Sequence, residues 1–205
     1  MANLPALPEN YAKGLELIDE AHALDPRPSE DSNPFELRYA RRMTQWLAVR
    51  CPSASPALQL ACRAQHFRRW ENPRSSYPMN RAGYLTWRSK LKSLAATQVA
   101  ELLASPAIQP PIPAEDIARI GGLIRKENLS INEETQVLED VACLVFLEDQ
   151  FDKFDKESGI EEDKMVGILR KTWGKMSEEG RKLAMGVELS ERGKALLGKA
   201  LEPQE

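Results

Sequence analysis

Apolar residues in this 205-residue chain recur at intervals of three and four. No segment of four to eight residues sustains the alternation that a half-buried strand needs. From Tyr11 to Leu24, the residues Leu15, Ile18, Ala21 and Leu24 fall on one helical face. Start signals for further helices follow in order. Ser32 or Asn33 stands before Pro34, Ser55 before Pro56, Asn80 before the stretch to Ala104, and Asn132 before Glu133 and Glu134. These place helices over about 34–51, 56–70, 81–104, 114–126 and 133–151. Beyond the acidic, Gly-containing text DKFDKESGIEED, shorter helices are expected over about 162–173, 178–186 and 190–201. The chain therefore reads as all-α, a single-domain helical bundle over residues 10–201, with a flexible N-terminus at 1–9 and a tail at 202–205.

Several function classes drop out. The longest uninterrupted apolar run, Val141 to Leu147, is far shorter than the roughly 20 residues a membrane-spanning helix needs. The opening MANLPALPENY has neither the basic stretch nor the apolar core of a secretory signal. Cys51, Cys62 and Cys143 are odd in number and widely spaced, as buried thiols of a reducing compartment would be. A cytoplasmic protein without a membrane partner is the expectation. The sequence leaves the oligomeric state open.

The formal net charge of −3 conceals a segregation of charge. Residues 35–92 carry twelve Lys/Arg against Glu36 and Glu71, a net of +10. Residues 127–163 carry thirteen acids against Lys153 and Lys156, a net of −11. Two blocks of opposite sign either face one another or leave the basic one to bind an anion.

The stretch Gln136 to Leu147 is apolar on every helical face except where Glu139 and Asp140 interrupt it. Such a helix belongs in a core, and an unpaired carboxylate there costs several kcal/mol. Gln136, Glu139 and Asp140 share a face at i, i+3 and i+4. They form either a capping or ion-pair network between helices or part of a site. The helix ALQLACRAQHFRRW gathers Gln65, His66 and Arg69 near its C-terminal end, and His66 is one of only two histidines. The loop ENPRSSYPMN then supplies Arg74 and Tyr77, and the helix it enters carries Tyr84, Trp87, Arg88 and Leu91 on one face. Arginine forks suit phosphate and carboxylate, and aromatic rings suit planar groups. Arg42, with Arg41 beside it, and Lys126 are placed to extend the cluster. His22 lies near a helix end, where carbonyl groups are close. No GxGxxG, GxxxxGK[ST], GxSxG or HExxH occurs, and two histidines exclude a three-His metal site.

The strings YARRMTQW, ARAQHFRRW, NPRSSYP, AGYLTWR and QVLEDVACLVFLE together resemble a family of uncharacterised bacterial and fungal proteins built on a domain of unknown function. The likeness covers about residues 10–200. Members are sometimes labelled glutamyl-tRNA synthetase, and Lys175-Met176-Ser177 is similar to the start of that enzyme class's KMSKS loop. A more distant likeness is to the HD-domain metal phosphohydrolases, which are also all-helical. Their His-Asp pair looks like His66-Phe67 here, their last Asp looks like Asp140, and their first His falls near Arg42. Two of the four ligand positions thus differ.

The resemblance and the residues together imply an HD-like helical scaffold hydrolysing a small anionic substrate, a phosphate ester or nucleotide. His66, Glu139 and Asp140 form the expected catalytic group. Arg42, Gln65, Arg69, Arg74, Tyr77, Arg88, Lys126 and Gln136 are expected to bind substrate. No cofactor is required, although Glu139 and Asp140 suit a weakly held divalent ion. The alternative is a non-enzymatic helical module binding RNA or a nucleotide through the basic, aromatic-bearing region 63–92. The charge pattern adds one more expectation, that Arg42, Arg69 or Arg88 pairs with Glu139 or Asp140.

Overall fold

Half of the helix starts among the described residues are fixed by a polar side chain immediately before them. In the computed structural model, which describes residues 3–29 and 31–202, Ser55 Oγ accepts from the Leu58 N–H at 3.1 Å. Asn80 Oδ1 accepts from Gly83 at 2.8 Å, and Asn132 Oδ1 from Thr135 at 3.1 Å. Each satisfies an amide that the first helical turn leaves without a partner. The described residues form ten α-helices and no strand, so the all-α expectation holds. They are α1 (Glu9–His22), α2 (Phe35–Arg50), α3 (Pro56–Arg63), α4 (Arg81–Leu103), α5 (Ala114–Arg125), α6 (Glu133–Val145), α7 (Phe151–Ser158), α8 (Glu162–Lys175), α9 (Glu178–Ala184) and α10 (Glu191–Leu201).

The chain divides into two compact units, residues 1–138 and 139–205, with the division inside α6. In the first unit α3 is the central element, packed by α1, α2 and α5. Its residues Ala57 to Arg63 are all buried, and Leu58 and Leu60 have no exposed surface. Truncating such a leucine to alanine costs about 2–5 kcal/mol. The long helix α4 packs its C-terminal half, Ala95, Ala96, Val99 and Leu103, in the core, and α5 lies against it. Gly83 lets the loop before α4 cross its first turn. A Cβ there would sit 2.2 Å from the Pro78 carbonyl oxygen.

Three boundaries differ from the sequence reading. Neither Ser32 nor Asn33 caps α2. Asp25 reaches over instead and accepts from the Glu36 N–H at 3.1 Å. α3 stops at Arg63 rather than near Trp70, because His66 and Arg68 adopt left-handed backbone (φ 63° and 51°). The helical path of α6 continues past Phe151. Residues Phe146–Gln150 form a π-helical turn, and α7 then runs to Ser158, where Gly159 turns the chain at φ 60°.

The second unit uses one local device twice. Ser177 caps α9 and hydrogen-bonds Asp140, while Ser190 caps α10 and hydrogen-bonds Asp152 at 2.6 Å. In both helices the capped amide belongs to a glycine, Gly180 or Gly193. α8 packs against α10, burying Met165 and Leu169 with Leu196, Leu197 and Ala200.

Candidate anion-binding site

The site in the first unit is built by the broken end of α3. Arg63, the last helical residue, forks onto Asp19 at 2.6 Å and reaches Thr44 Oγ1 at 2.9 Å. Past it, Phe67 is buried and meets the His22 ring edge-on at 5.5 Å. The residues on either side of Phe67, His66 and Arg68, are the two left-handed ones. Outside glycine, that conformation costs roughly 1–2 kcal/mol at each position. Strain of this kind persists where the surroundings over-determine it and commonly marks a site. Here the clamp is Glu36, fully buried on α2, whose Oε1 accepts from the Trp70 N–H at 3.1 Å.

Glu36 is itself held by a buried network. Arg27 donates to Asp25 at 2.9 and 2.8 Å and to Glu36 at 3.3 Å. Its other oxygen lies 3.5 Å from His22 Nδ1. His22 Nε2 donates to the Arg63 carbonyl at 3.0 Å, so a neutral ring would present a bare lone pair to the carboxylate. Burial pushes the Glu36 carboxyl above its usual range, and a proton held on its Oε2 would point to His22 Nδ1.

The bend at His66 lays its imidazole on the Tyr39 ring, with centroids 4.3 Å apart and planes 13° from parallel. Arg69 Nη1 lies 2.8 Å from His66 Nε2. A guanidinium only donates, so Nε2 accepts and the ring proton is on Nδ1. Arg69 also covers the Trp87 ring, 4.6 Å from its centroid, and Trp87 is fixed by donating to the Asn72 carbonyl at 2.8 Å. Desolvation first, then the charges of Arg69, Lys126 and Arg88, hold His66 well below the usual imidazole range. His66 is neutral at physiological pH.

The decisive feature is a pair of arginines, Arg69 and Arg88, with no carboxylate at ion-pair distance among the described residues. Arg69 is half-buried, and burial, with Arg88 adding, makes its charged form less favourable than usual. Among the described residues no carboxylate pairs with Arg69 or Arg88, whose contacts are His66, Trp87 and the Tyr84 ring and hydroxyl. Lys126, held in left-handed backbone (φ 60°) at the C-terminus of α5, adds its charge to the field at His66. A desolvated guanidinium beside further cations is a ready receptor for a compact anion.

The remaining expected site residues fall as follows. Gln65 is buried and donates to its own helix, at the Ala61 carbonyl, 3.3 Å away. Arg74 braces the loop, donating to the carbonyls of Tyr77, Pro78 and Asn80 at 3.0, 2.7 and 3.2 Å. Tyr77 lies under Lys90, whose Nζ is 6.0 Å from its centroid. Arg42 donates to Gln45 at 3.4 Å, and Gln136 is half-buried on α6. Glu139 and Asp140 are both buried, and each has a partner within its own unit. Asp140 accepts the Ser177 N–H at 2.8 Å and its hydroxyl at 2.6 Å, while Lys175 lies 3.7 Å from Glu139. Among the described residues no three His, Cys, Asp or Glu side chains converge on a place that could hold a metal ion. Tyr39 and Glu36 were not anticipated as parts of the site. Their signal was present, because Glu36, Tyr39, Ala40, Met43 and Leu47 form one buried face of α2 with an acid at its head.

Comparison with curated proteins returned no match, and neither did comparison with solved structures. The residues that build the site, from His22 to Lys126, all lie within the segment 12–197 that matches the model of one protein family, and the chain belongs to that family, the domain of unknown function DUF4202.

Proposed function

We propose that the protein binds a small phosphate-bearing molecule, a phosphate ester or nucleotide, at the Arg69–Arg88–Lys126 cluster and hydrolyses it with His66 as the base. The observation that carries this reading is the half-buried Arg69 guanidinium, which has no carboxylate partner among the described residues and donates to a neutral imidazole. A bound phosphate would draw the Arg69 fork onto its oxygens and release the lone pair on His66 Nε2. The same negative charge would raise the basicity of the imidazole. His66 could then take a proton from a water attacking phosphorus, as a positioned base does, while the P–O bond to the leaving oxygen breaks and that oxygen takes a proton back from the imidazolium. Trp87 would keep Arg69 in plane through the exchange.

The likeness to HD-domain phosphohydrolases supports the reaction class but not their metal chemistry. In the sequence likeness the first His of that family falls near Arg42 and the Asp of its His-Asp pair at Phe67, and no step is routed through a metal. Calorimetry with inorganic phosphate and a panel of nucleotides and phosphate esters, with phosphate release followed in parallel, tests both halves. Arg69→Gln is expected to weaken binding roughly 10- to 100-fold, the loss of one or two charge-assisted hydrogen bonds. His66→Ala is expected to abolish turnover. Binding unaffected by Arg69→Gln would refute the recognition site. Binding with no turnover of any substrate would remove the hydrolytic step.

A further inference from the structure

The stretch 72–100 carries Arg74, Arg81, Arg88, Lys90 and Lys92 and no acid at all. It leaves an unusual surface. Between Arg81 and Lys90 only Gly83 and Trp87 are buried, so the first half of α4 is a largely solvent-facing ridge. Three large apolar side chains stand out of it or just before it: Met79 at 80% exposure, Leu85 at 56% and Tyr84 at 41%. Cations lie over the tyrosine faces. Arg88 and Arg74 are 5.8 and 6.0 Å from the Tyr84 centroid, and Lys90 is 6.0 Å from that of Tyr77. Arg81 and Lys90 enter no ion pair among the described residues.

We propose that the ridge formed by Tyr77, Met79, Arg81, Tyr84, Leu85 and Lys90 binds single-stranded nucleic acid. The occupant must be anionic, since nothing on the ridge neutralises its charge. Exposed rings interleaved with cations suit a chain whose phosphates alternate with flat, apolar bases. A duplex hides its base faces and would use only the charges. An acidic peptide would likewise leave the two rings and Met79 uncovered. This surface adjoins the Arg69 site, since Arg88 lies over the Tyr84 ring, but the proposal does not depend on the reading of that site.

Fluorescence anisotropy with a labelled 12-nucleotide oligo-uridylate, at 50 and 200 mM NaCl, tests the inference. Expected are binding that weakens steeply with salt, weaker binding of a duplex of equal length, and no competition by polyglutamate. Tyr84→Ala should cost about tenfold or more, the loss of one stacking partner. Arg81→Glu with Lys90→Glu should cost more, while leaving phosphate binding at Arg69 intact. All these side chains are exposed or half-exposed, and circular dichroism checks that the variants fold. No binding at 50 mM salt would overturn the proposal. So would equal affinity for duplex, an unaffected Tyr84→Ala, or preferential binding to phosphatidylserine vesicles or polyglutamate. Arg69→Gln separates the two sites, because it should leave oligonucleotide affinity unchanged.

Discussion

Asp140→Ala should be among the most destabilising single changes in the second unit. The carboxylate has no exposed surface and accepts two hydrogen bonds from Ser177, one from the backbone N–H and one from the hydroxyl. Each bond to a charged acceptor contributes about 1.5–3 kcal/mol, so losing both costs about 3–6 kcal/mol, close to the cost of other broken buried charge networks. Asp140→Asn keeps an oxygen for the N–H and an amide to donate to Ser177 Oγ, and should cost about 1–2 kcal/mol. Gly180 provides an internal control. A Cβ added there would sit 2.6 Å from Asp140 Cγ, far inside contact distance. Gly180→Ala should therefore cost about 1–3 kcal/mol by overpacking. In the Asp140→Ala background the new methyl has room, and the preference of helices for alanine makes the same change neutral or favourable. Urea unfolding of the four proteins gives the coupling, expected at about 1–3 kcal/mol. Additive effects, or an Asp140→Ala protein of unchanged stability, would refute this account of the α9 cap.

Further outcomes follow from the network under His66. Glu36→Gln should be tolerated, since the amide can accept from the Trp70 N–H and donate to His22 Nδ1, whereas Glu36→Leu should destabilise by about 2–4 kcal/mol and weaken phosphate binding; melting curves and calorimetry check both. His66 also predicts a pH dependence. Its folded value is depressed, so the unfolded chain binds more protons between that value and about 6.5, and stability falls as pH drops through this window. The stability lead of wild type over His66→Asn should therefore shrink from pH 7.5 to pH 5, and a lead independent of pH would count against it.

The parts of this molecule written locally were legible. Ser55, Asn80 and Asn132 announce their helices because the capping oxygen and the amide it serves lie three residues apart. The cap of α2 was not, because Asp25 performs it from eleven residues upstream. The end of α3 was hidden for a different reason. No glycine or proline marks it, and the left-handed turns at His66 and Arg68 are held by tertiary contacts from Tyr39, Phe67 and Glu36. That hidden turn is also what aims His66 at Arg69, so composition pointed to the cluster while its geometry stayed out of reach. Gln65 and Arg74 show the converse, as polar side chains in the right segment that are taken up by nearby carbonyls.

The most direct measurement is an NMR titration of the two histidines, with and without saturating inorganic phosphate. Free protein should show His66 as the Nδ1–H tautomer, titrating well below 6.5, with phosphate raising its pKa as Arg69 turns to the anion. Arg69→Gln should raise the His66 value in free protein and remove most of the response to phosphate. A His66 that titrates near 6.5 and does not respond to phosphate would contradict the account at its centre.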